Sequence, residues 1–296
     1  MKRLATVLSV VAGAMLWQHM RYLRSRRIAV QDRQPMLYST DSFHVMTFLE
    51  VAEGQDVIEA VRKLRQQLEA SGFAHMIYAG QAAFTLTSAQ LGPRSWDAVV
   101  LVQYASRERY DEAASSALYR DGLAAFAQTY SHGMQRPWLM NLLMHQMLLG
   151  VSIVDMVTGN FKLSPLVAMS RFDMSSEQAE IYDRIDDLLK LRSLNDEALV
   201  VFNLLKPGTA EQQAANAAYG RKMMTRMARL GHGPMHVGSA VTIEGDASFD
   251  QAIVVYYPGA SYFAELLSSE FFLEIIGDKQ LGDTQAVPTV PILSRL

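Results

Sequence analysis

Four polar side chains in the last third of the chain could together carry out acid–base chemistry: His236, Asn203, Tyr256 and Tyr257. Histidine titrates near neutral pH, so His236 is a candidate general base. Asn203 could hold a carbonyl or enolate oxygen, and a tyrosine hydroxyl could donate a hydrogen bond to it. The alternative for each, which residues of these types in a barrel core favour, is a satisfied polar side chain. Because neighbouring strand residues face opposite ways, only one of the two tyrosines can point into a shared pocket.

Three further residues are candidates for substrate binding. Thr242 and Glu244 share with His236 the polar face of a strand predicted over 235–244. Lys206 precedes a Pro-Gly pair, which places it at the end of another predicted strand. There it either lies in solvent or contacts an anionic substrate.

No metal or cofactor is predicted. His232 and His236 have a spacing that would suit a metal on a helix, but the Gly-Pro between them indicates a loop that enters a strand. The chain has no cysteine, which excludes disulfides, thiolate ligands and cysteine nucleophiles. It also lacks a Ser-His-Asp order, a phosphate-binding loop, a dinucleotide fingerprint and an HExxH motif. Most common enzyme chemistries therefore have no positive support.

The charge of the chain is distributed unevenly. Its 296 residues suggest about two domains, and its formal net charge is −3. Residues 1–33 hold seven of the 27 Lys and Arg residues but only one of the 30 Asp and Glu residues. The rest of the chain is therefore acidic, which argues against a nucleic-acid partner.

The basic N-terminal segment contains an uninterrupted apolar run from Leu4 to Trp17. We interpret residues 1–30 as a short transmembrane anchor with a basic flank, so that membrane lipid is a partner. The arginines at 21–27 outnumber the two basic residues before the run, which places the body in the cytoplasm, at the inner membrane if the protein is bacterial. A cleaved signal peptide and a peripheral helix are the alternatives.

Two stretches of the chain match without gaps when the sequence is shifted by 153 residues: 96–123 lies over 249–276. Asp97 meets Asp250 and Tyr104 meets Tyr257 in this frame. The recurring aspartate indicates a structural turn. The matched segments predict a strand followed by an amphipathic helix in each copy.

Each copy is predicted to have the order β-α-β-β-α-β, which is the ferredoxin-like order. In the first copy the strands begin near 44, 75 and 97, and Asp56 caps the first helix. In the second the strands cover 198–205, 235–244 and 251–257, Thr209 and Gln212 form a capping box, a helix starts near 261, and 283–292 supplies a last edge strand. The fold class is therefore α+β, with tandem repeats forming a pseudo-dimeric α/β barrel. The open sheet faces pair within one chain, or each pairs with a second chain in a homodimer.

The predicted domains are an anchor at 1–30, repeats at 40–137 and 196–296, and a linker at 138–195. The segment 137–158, at the start of this linker, is apolar apart from a polar stripe that contains His145 and Asp155. We expect a helix that packs on the body or lies in the membrane interface, in preference to a second spanning helix. The acidic segment 176–193 is expected to be a helix that caps the second copy.

The second copy resembles the uncharacterised DUF1330 family. The resemblance rests on VVFNLLKPG (200–208), AYGRKM (218–223), the matched segment 249–272 and DTQAVPT (283–289). It covers 200–290 well and 44–137 weakly. The resemblance implies the dimeric α/β-barrel superfamily, which includes small monooxygenases, polyketide cyclases and haem-binding members. The family's Asn-Leu-Leu-Lys strand is kept from Asn203 to Lys206, whereas the first copy reads Phe-Leu-Glu-Val at 48–51, so the second copy should hold any active pocket.

The predicted anchor and the resemblance together indicate a membrane-tethered barrel. The resemblance implies that it binds a small apolar or aromatic molecule, with cofactor-independent cyclase, isomerase or monooxygenase chemistry as a further expectation. The alternative is a non-catalytic scaffold or interaction module at the membrane surface. A pocket lined by His236, Asn203 and a tyrosine would favour the first hypothesis. An interior filled by Met and Phe side chains would contradict it.

Overall fold

The computed structural model describes residues 2–30, 37–159, 165–170 and 174–296. The N-terminal helix and the first repeat comprise α1 (Lys2–Val30), β1 (Phe43–Glu50), α2 (Val57–Ala70), β2 (Ala74–Ala82), β3 (Ala98–Tyr104), α3 (Arg107–Ala114), α4 (Ala117–Ala124) and β4 (Gln128–Gln135). The linker contains α5 (Met140–Val157), α6 (Ser176–Asp183) and α7 (Ile185–Lys190). The second repeat comprises β5 (Leu199–Lys206), α8 (Ala210–Leu230), β6 (Gly233–Thr242), β7 (Gln251–Tyr257), α9 (Gly259–Leu267), α10 (Glu270–Ile275) and β8 (Asp283–Pro291).

Both repeats begin their second helical segment in the same way. The single helix expected after β3 and β7 is divided into two in each repeat, and the break falls at the matched Ser-Ser pairs. The Ser116 side chain accepts a hydrogen bond from the Tyr119 N–H and caps α4. The Ser269 side chain does the same for the N–H of Phe272 at the start of α10. A serine that satisfies a free N–H at a helix start favours a new helix over continuation of the old one.

The eight strands form one closed antiparallel barrel in the order β1-β3-β2-β8-β5-β7-β6-β4. The two repeats meet where β2 pairs with β8 and where β4 pairs with β6. The prediction that the two sheets pair within one chain is therefore confirmed. The prediction of an edge strand at 283–292 is wrong, because β8 pairs with β5 on one side and β2 on the other. Proline is tolerated in this strand since Pro288 contributes its carbonyl, which accepts from the Ala83 N–H at 2.9 Å.

Large side chains fill the barrel interior. Tyr78 meets Phe202 at a ring distance of 5.1 Å and Tyr256 at 6.4 Å, and all three are buried. The Tyr78 hydroxyl lies 2.7 Å from Thr289 Oγ1, which donates to the Val200 carbonyl at 2.8 Å. This chain of hydrogen bonds crosses the seam between β2 and β8 and joins the two repeats.

Helix α1 packs against α5 through a small polar contact. Nδ1 of His19 lies 2.9 Å from Nε2 of His145, and both side chains are buried. The preceding apolar side chains of α1 are largely exposed, among them Val7, Leu8, Val10, Val11, Leu16 and Trp17.

The prediction of a transmembrane helix in residues 1–30 is not supported. Among the described residues, no helix is both long enough and apolar enough to cross a membrane. The run from Leu4 to Trp17 would extend about 21 Å as a helix, which is shorter than the ~30 Å hydrocarbon core of a bilayer. The association of this segment with lipid and the cytoplasmic placement of the body stay predictions.

The linker helices pack on the second repeat. Helix α5 contacts α8 and β6, and its polar stripe faces inward, where Asp155 Oδ2 lies 3.5 Å from Arg229 Nη2. Leu143, Met147 and Val154 of the same helix are exposed. Helix α7 packs against α9. The linker therefore covers part of the second repeat.

Candidate functional site

A cavity of about 300 Å³ lies between the outer face of the second repeat's sheet and its helices. Its floor follows from strand alternation: on β5 and β7 every second residue projects toward the helices. These outward residues include Val201, Asn203, Leu205, Ile253, Val255 and Tyr257. The cavity is therefore built on the face of the sheet that points away from the barrel interior.

Helix α8 forms the roof of the cavity. The helix begins at the predicted capping box of Thr209 and Gln212 and ends at Gly231, which adopts a left-handed conformation with φ of 73°. Tyr219, Met223 and Met227 line the cavity, and their spacing of four residues places them on one helical face. Methionine side chains are flexible and can adapt to the shape of the space that they line.

The cavity wall also includes residues from outside the second repeat. Leu86, in the loop after β2, pairs with Ala286 of β8 through two backbone hydrogen bonds of 2.8 and 2.9 Å. Phe84 from the same loop and Ile181 of α6 line the space beside it. The complete cavity therefore requires both repeats and the linker.

Asn203 contributes a hydrogen-bond acceptor to the cavity. Its Nδ2 donates to the carbonyls of Val201 at 3.1 Å and Ile253 at 3.2 Å. Both amide hydrogens are therefore used, and Oδ1 is the atom available to a ligand. This geometry corrects the predicted role of Asn203, because an oxyanion or enolate needs a donor.

Two tyrosines and a lysine supply the other titratable groups of the cavity lining. Burial raises the pKa of Tyr219 to about 12 and raises the pKa of Tyr257 well above its usual value. Both phenols therefore stay protonated at neutral pH and can donate hydrogen bonds. Burial lowers the pKa of the Lys279 ammonium. Nothing in the described ranges forms a hydrogen bond or an ion pair with Lys279 Nζ.

Lys279 lies where the cavity meets a second, more polar hollow. This outer hollow has a volume of about 450 Å³ and shares Lys279, Leu86, Ile181 and Ile276 with the cavity. Glu180, Arg184 and Glu274 also line it. The arrangement places charged groups outside, an apolar space inside and Lys279 between them.

His236 and Tyr256 lie on the opposite face of the sheet, in the barrel interior. His236 pairs with Val254, which in turn pairs with Phe202. Arg136 Nη1 donates a hydrogen bond to His236 Nδ1 at 2.8 Å. The guanidinium of Arg136 also lies 4.2 Å from the ring centre of Tyr38. The structure therefore separates the four predicted catalytic residues. Asn203 and Tyr257 line the cavity beneath α8, whereas His236 and Tyr256 lie in the filled barrel interior.

The three predicted substrate-binding residues lie apart from the cavity. Lys206 is half-buried at the end of β5, opposite Asp283. Thr242 donates to the Ala247 carbonyl at 3.2 Å. Glu244 accepts from the Ser131 N–H at 2.6 Å. None of the three lines the cavity as the structure describes it.

Glu244 instead lines a hollow at the junction of β4 and β6. Tyr130 and Arg94 line the same hollow, and the Tyr130 hydroxyl lies 3.1 Å from Nδ1 of the buried His132. Burial raises the pKa of Tyr130 to about 12 and lowers the pKa of His132 to about 4. His132 is therefore a neutral imidazole at physiological pH, held inside the seam between the two repeats.

The corresponding part of the first repeat is packed with side chains. Asn203 pairs with Ile253, and Thr47 pairs with Val100. Because Val100 and Ile253 correspond in the repeat frame of 153 residues, the counterpart of Asn203 is Thr47. The expected alignment of Asn203 with Phe48 is therefore one residue off. Thr47 Oγ1 lies 3.1 Å from Ser131 Oγ, and the Tyr119 side chain bonds the same serine. This contrast places the ligand-sized cavity in the second repeat.

The described part of the cavity lining contains no cluster of metal-ligating side chains and no histidine. Across the ranges that the structure describes, no group of three or more His, Asp or Glu side chains is arranged to hold a metal ion. No histidine lines the cavity in the same ranges, so no imidazole is available there for a haem iron. The residues therefore do not fit a haem held by an imidazole.

Comparison with solved structures finds distant likenesses. A protein described as a putative monooxygenase from Lactobacillus acidophilus NCFM is 10% identical, with a TM-score of 0.40 and coverage of 85% of this chain and 94% of that chain. An anthrone oxidase-like protein is 9% identical, with a TM-score of 0.41 and coverage of 86% and 92%. A mutant chlorite dismutase from Candidatus Nitrospira defluvii is 11% identical, with a TM-score of 0.41 and coverage of 89% and 97%.

No protein-family model and no curated protein matches the sequence, so the DUF1330 resemblance is not confirmed. At these identities and TM-scores, the structural likenesses carry no argument about function.

Proposed function

We propose that this protein binds a small, largely apolar molecule in the cavity beneath α8. The observation that carries the proposal is the cavity of about 300 Å³ with a mainly apolar lining. Ligand sites are typically concave, apolar and furnished with a few polar groups that orient the ligand. An aromatic bicycle or a medium-length alkyl chain matches this space.

The polar groups of the lining define how such a ligand is oriented. Asn203 Oδ1 accepts a hydrogen bond, whereas the Tyr219 and Tyr257 hydroxyls can donate one. A ligand hydroxyl can therefore donate to Asn203, and a ligand carbonyl can accept from a tyrosine. Removing such a partner leaves buried polar groups unsatisfied, which is the usual source of selectivity in an apolar site.

Binding has stronger support than the predicted acid–base catalysis. In the described part of the lining, no histidine or carboxylate lies beside the cavity, and the Arg136 guanidinium occupies Nδ1 of His236 on the other face of the sheet. A general base needs hydrogen-bond reach to the proton that it removes. His236 lacks that reach to a ligand in this cavity.

Filling the cavity from its roof tests the proposal. Gly220 lines the cavity, and a Cβ added there meets nothing within 4 Å. Gly220→Leu should therefore place a side chain in the ligand's space while improving the helix propensity of α8 by up to about 1 kcal/mol. Titration with 2-naphthol, followed by calorimetry and thermal shift, should show binding to the wild type and none to this variant.

Gly150→Leu on α5 is the matched control. Gly150, like Gly220, lies within a helix, and an added Cβ at either position meets nothing within 4 Å. Gly150 is exposed. This variant should bind 2-naphthol as the wild type does. Equal binding by both leucine variants would place the ligand elsewhere and overturn the proposal, as would failure of the wild type to bind.

A further inference from the structure

We propose that the natural ligand is an amphipathic monocarboxylate, with its apolar body in the cavity and its carboxylate on Lys279. This inference rests on the proposed function, because it identifies the chemical class of ligand for the same site. It requires a cation at the end of an apolar space. The described lining of the cavity contains one such group, Lys279.

The position of Lys279 matches the place where a ligand head group would emerge. Lys279 belongs to the lining of both the apolar cavity and the polar outer hollow. A carboxylate there would keep contact with the charged hollow while its chain enters the apolar space. Such an arrangement avoids the cost of placing an ionised carboxylate in the cavity itself.

The neighbouring charges leave Lys279 available for a ligand. The adjacent Asp278 pairs with Lys222 at 3.3 Å. In the outer hollow, Glu180 lies 3.9 Å from Arg184. Within the described ranges, no carboxylate oxygen approaches Lys279 Nζ to ion-pair distance. Desolvation lowers the pKa of this ammonium, and a bound carboxylate would raise the pKa again by stabilising the charged form.

One other polar group of the cavity, Asn203, favours the same orientation. Asn203 presents an acceptor oxygen, because its Nδ2 is bound to two backbone carbonyls. An acceptor repels a carboxylate, so the anionic end of the ligand is not directed at Asn203. The ligand chain therefore extends from Lys279 toward α8 and the sheet, where Met223 and Val255 line the cavity.

Three probes of equal chain length test the inference: octanoate, 1-octanol and octylamine. In calorimetric titrations of the full chain, octanoate should bind the wild type roughly tenfold or more tightly than 1-octanol, as expected for a hydrogen bond to a charged group. Octylamine should bind more weakly than 1-octanol. Lys279→Met should remove the preference for octanoate and leave the affinity for 1-octanol unchanged, which also shows that the variant is folded. Lys279→Arg should retain the preference.

Lys206→Met is the control, because Lys206 lies at the end of β5 outside the described lining. It should leave all three affinities unchanged. Equal affinity of the wild type for octanoate and 1-octanol would overturn the inference and leave the proposed function standing. Loss of both ligands in Lys279→Met would also overturn it, since the lysine would then act on the cavity as a whole. Failure of all three probes to bind the wild type would contradict the proposed function itself.

Discussion

Acidification should destabilise the barrel through His132. This imidazole is completely buried at the seam between β4 and β6. Its Nδ1 lies 3.1 Å from the Tyr130 hydroxyl, and its ring meets Phe249 edge-on at a centroid distance of 5.6 Å. Burial lowers the pKa of His132 from 6.5 to about 4. The folded protein therefore disfavours the protonated form of this side chain.

The size of the effect follows from the difference in pKa between the two states. As the pH falls below 6.5, the unfolded chain binds a proton at His132 while the folded chain does not. The free energy of unfolding therefore decreases as the pH falls, until the folded pKa is reached. This linkage removes about 2 kcal/mol between about pH 7 and pH 5, and about 3 kcal/mol in all below pH 4.

Urea unfolding at about pH 7, 6 and 5 measures this loss directly. His132→Gln should lose about 2 kcal/mol less than the wild type across this range, because glutamine does not titrate. His75→Gln is the control, since the His75 side chain is 57% exposed. It should follow the wild type. If His132→Gln showed the same pH dependence as the wild type, the burial argument for this residue would fail.

Two further predictions concern the barrel wall. Thr289→Val should cost about 1–3 kcal/mol in urea unfolding, because it leaves the buried Tyr78 hydroxyl without its hydrogen-bond partner and removes the hydrogen bond to the Val200 carbonyl. Tyr78→Phe should cost less, about 1 kcal/mol, since Thr289 keeps its bond to Val200. Gly133→Ala should destabilise by about 1–3 kcal/mol, because the added Cβ would overlap the Phe43 ring. A companion Phe43→Leu substitution should recover part of that loss. A fully neutral Gly133→Ala would show that the packing of Phe43 against β4 is looser than the structure indicates.

Much of the fold could be predicted because local signals agree with long-range ones. The frame of 153 residues aligns β3 and β7 end to end. The caps at Asp56 and Thr209 form as their side-chain chemistry predicts. These features depend on residues close together in sequence, or on a repeat that retains its pattern. Barrel closure follows from two sheets whose open faces need burial.

The site could be predicted only in part, because alternation does not say which face of a strand points into the barrel and which faces the helices. Alternation places Asn203 on the opposite face from Phe202 and Leu204. However, the barrel interior and the space between the sheet and the helices are both largely apolar, so either could have contained a pocket. An irregular register between Pro234 and His236 further alters the pattern of β6. Sequence reasoning also missed Lys279, which follows α10 in an irregular segment and becomes important only through the helices folded around it. The stripe of Tyr219 and Met223 was available as a signal, since its helical spacing predicts a shared face.

Methionine-methyl NMR distinguishes binding beneath α8 from binding inside the barrel, because methionines lie in both places. Met223 and Met227 line the cavity beneath α8, whereas Met46 and Met134 are fully buried within the barrel core. In a titration with 2-naphthol, ring-current shifts should appear at the first pair and be absent from the second, with Met→Leu variants giving the assignments. Shifts confined to Met46 and Met134 would place the ligand inside the barrel and contradict the account.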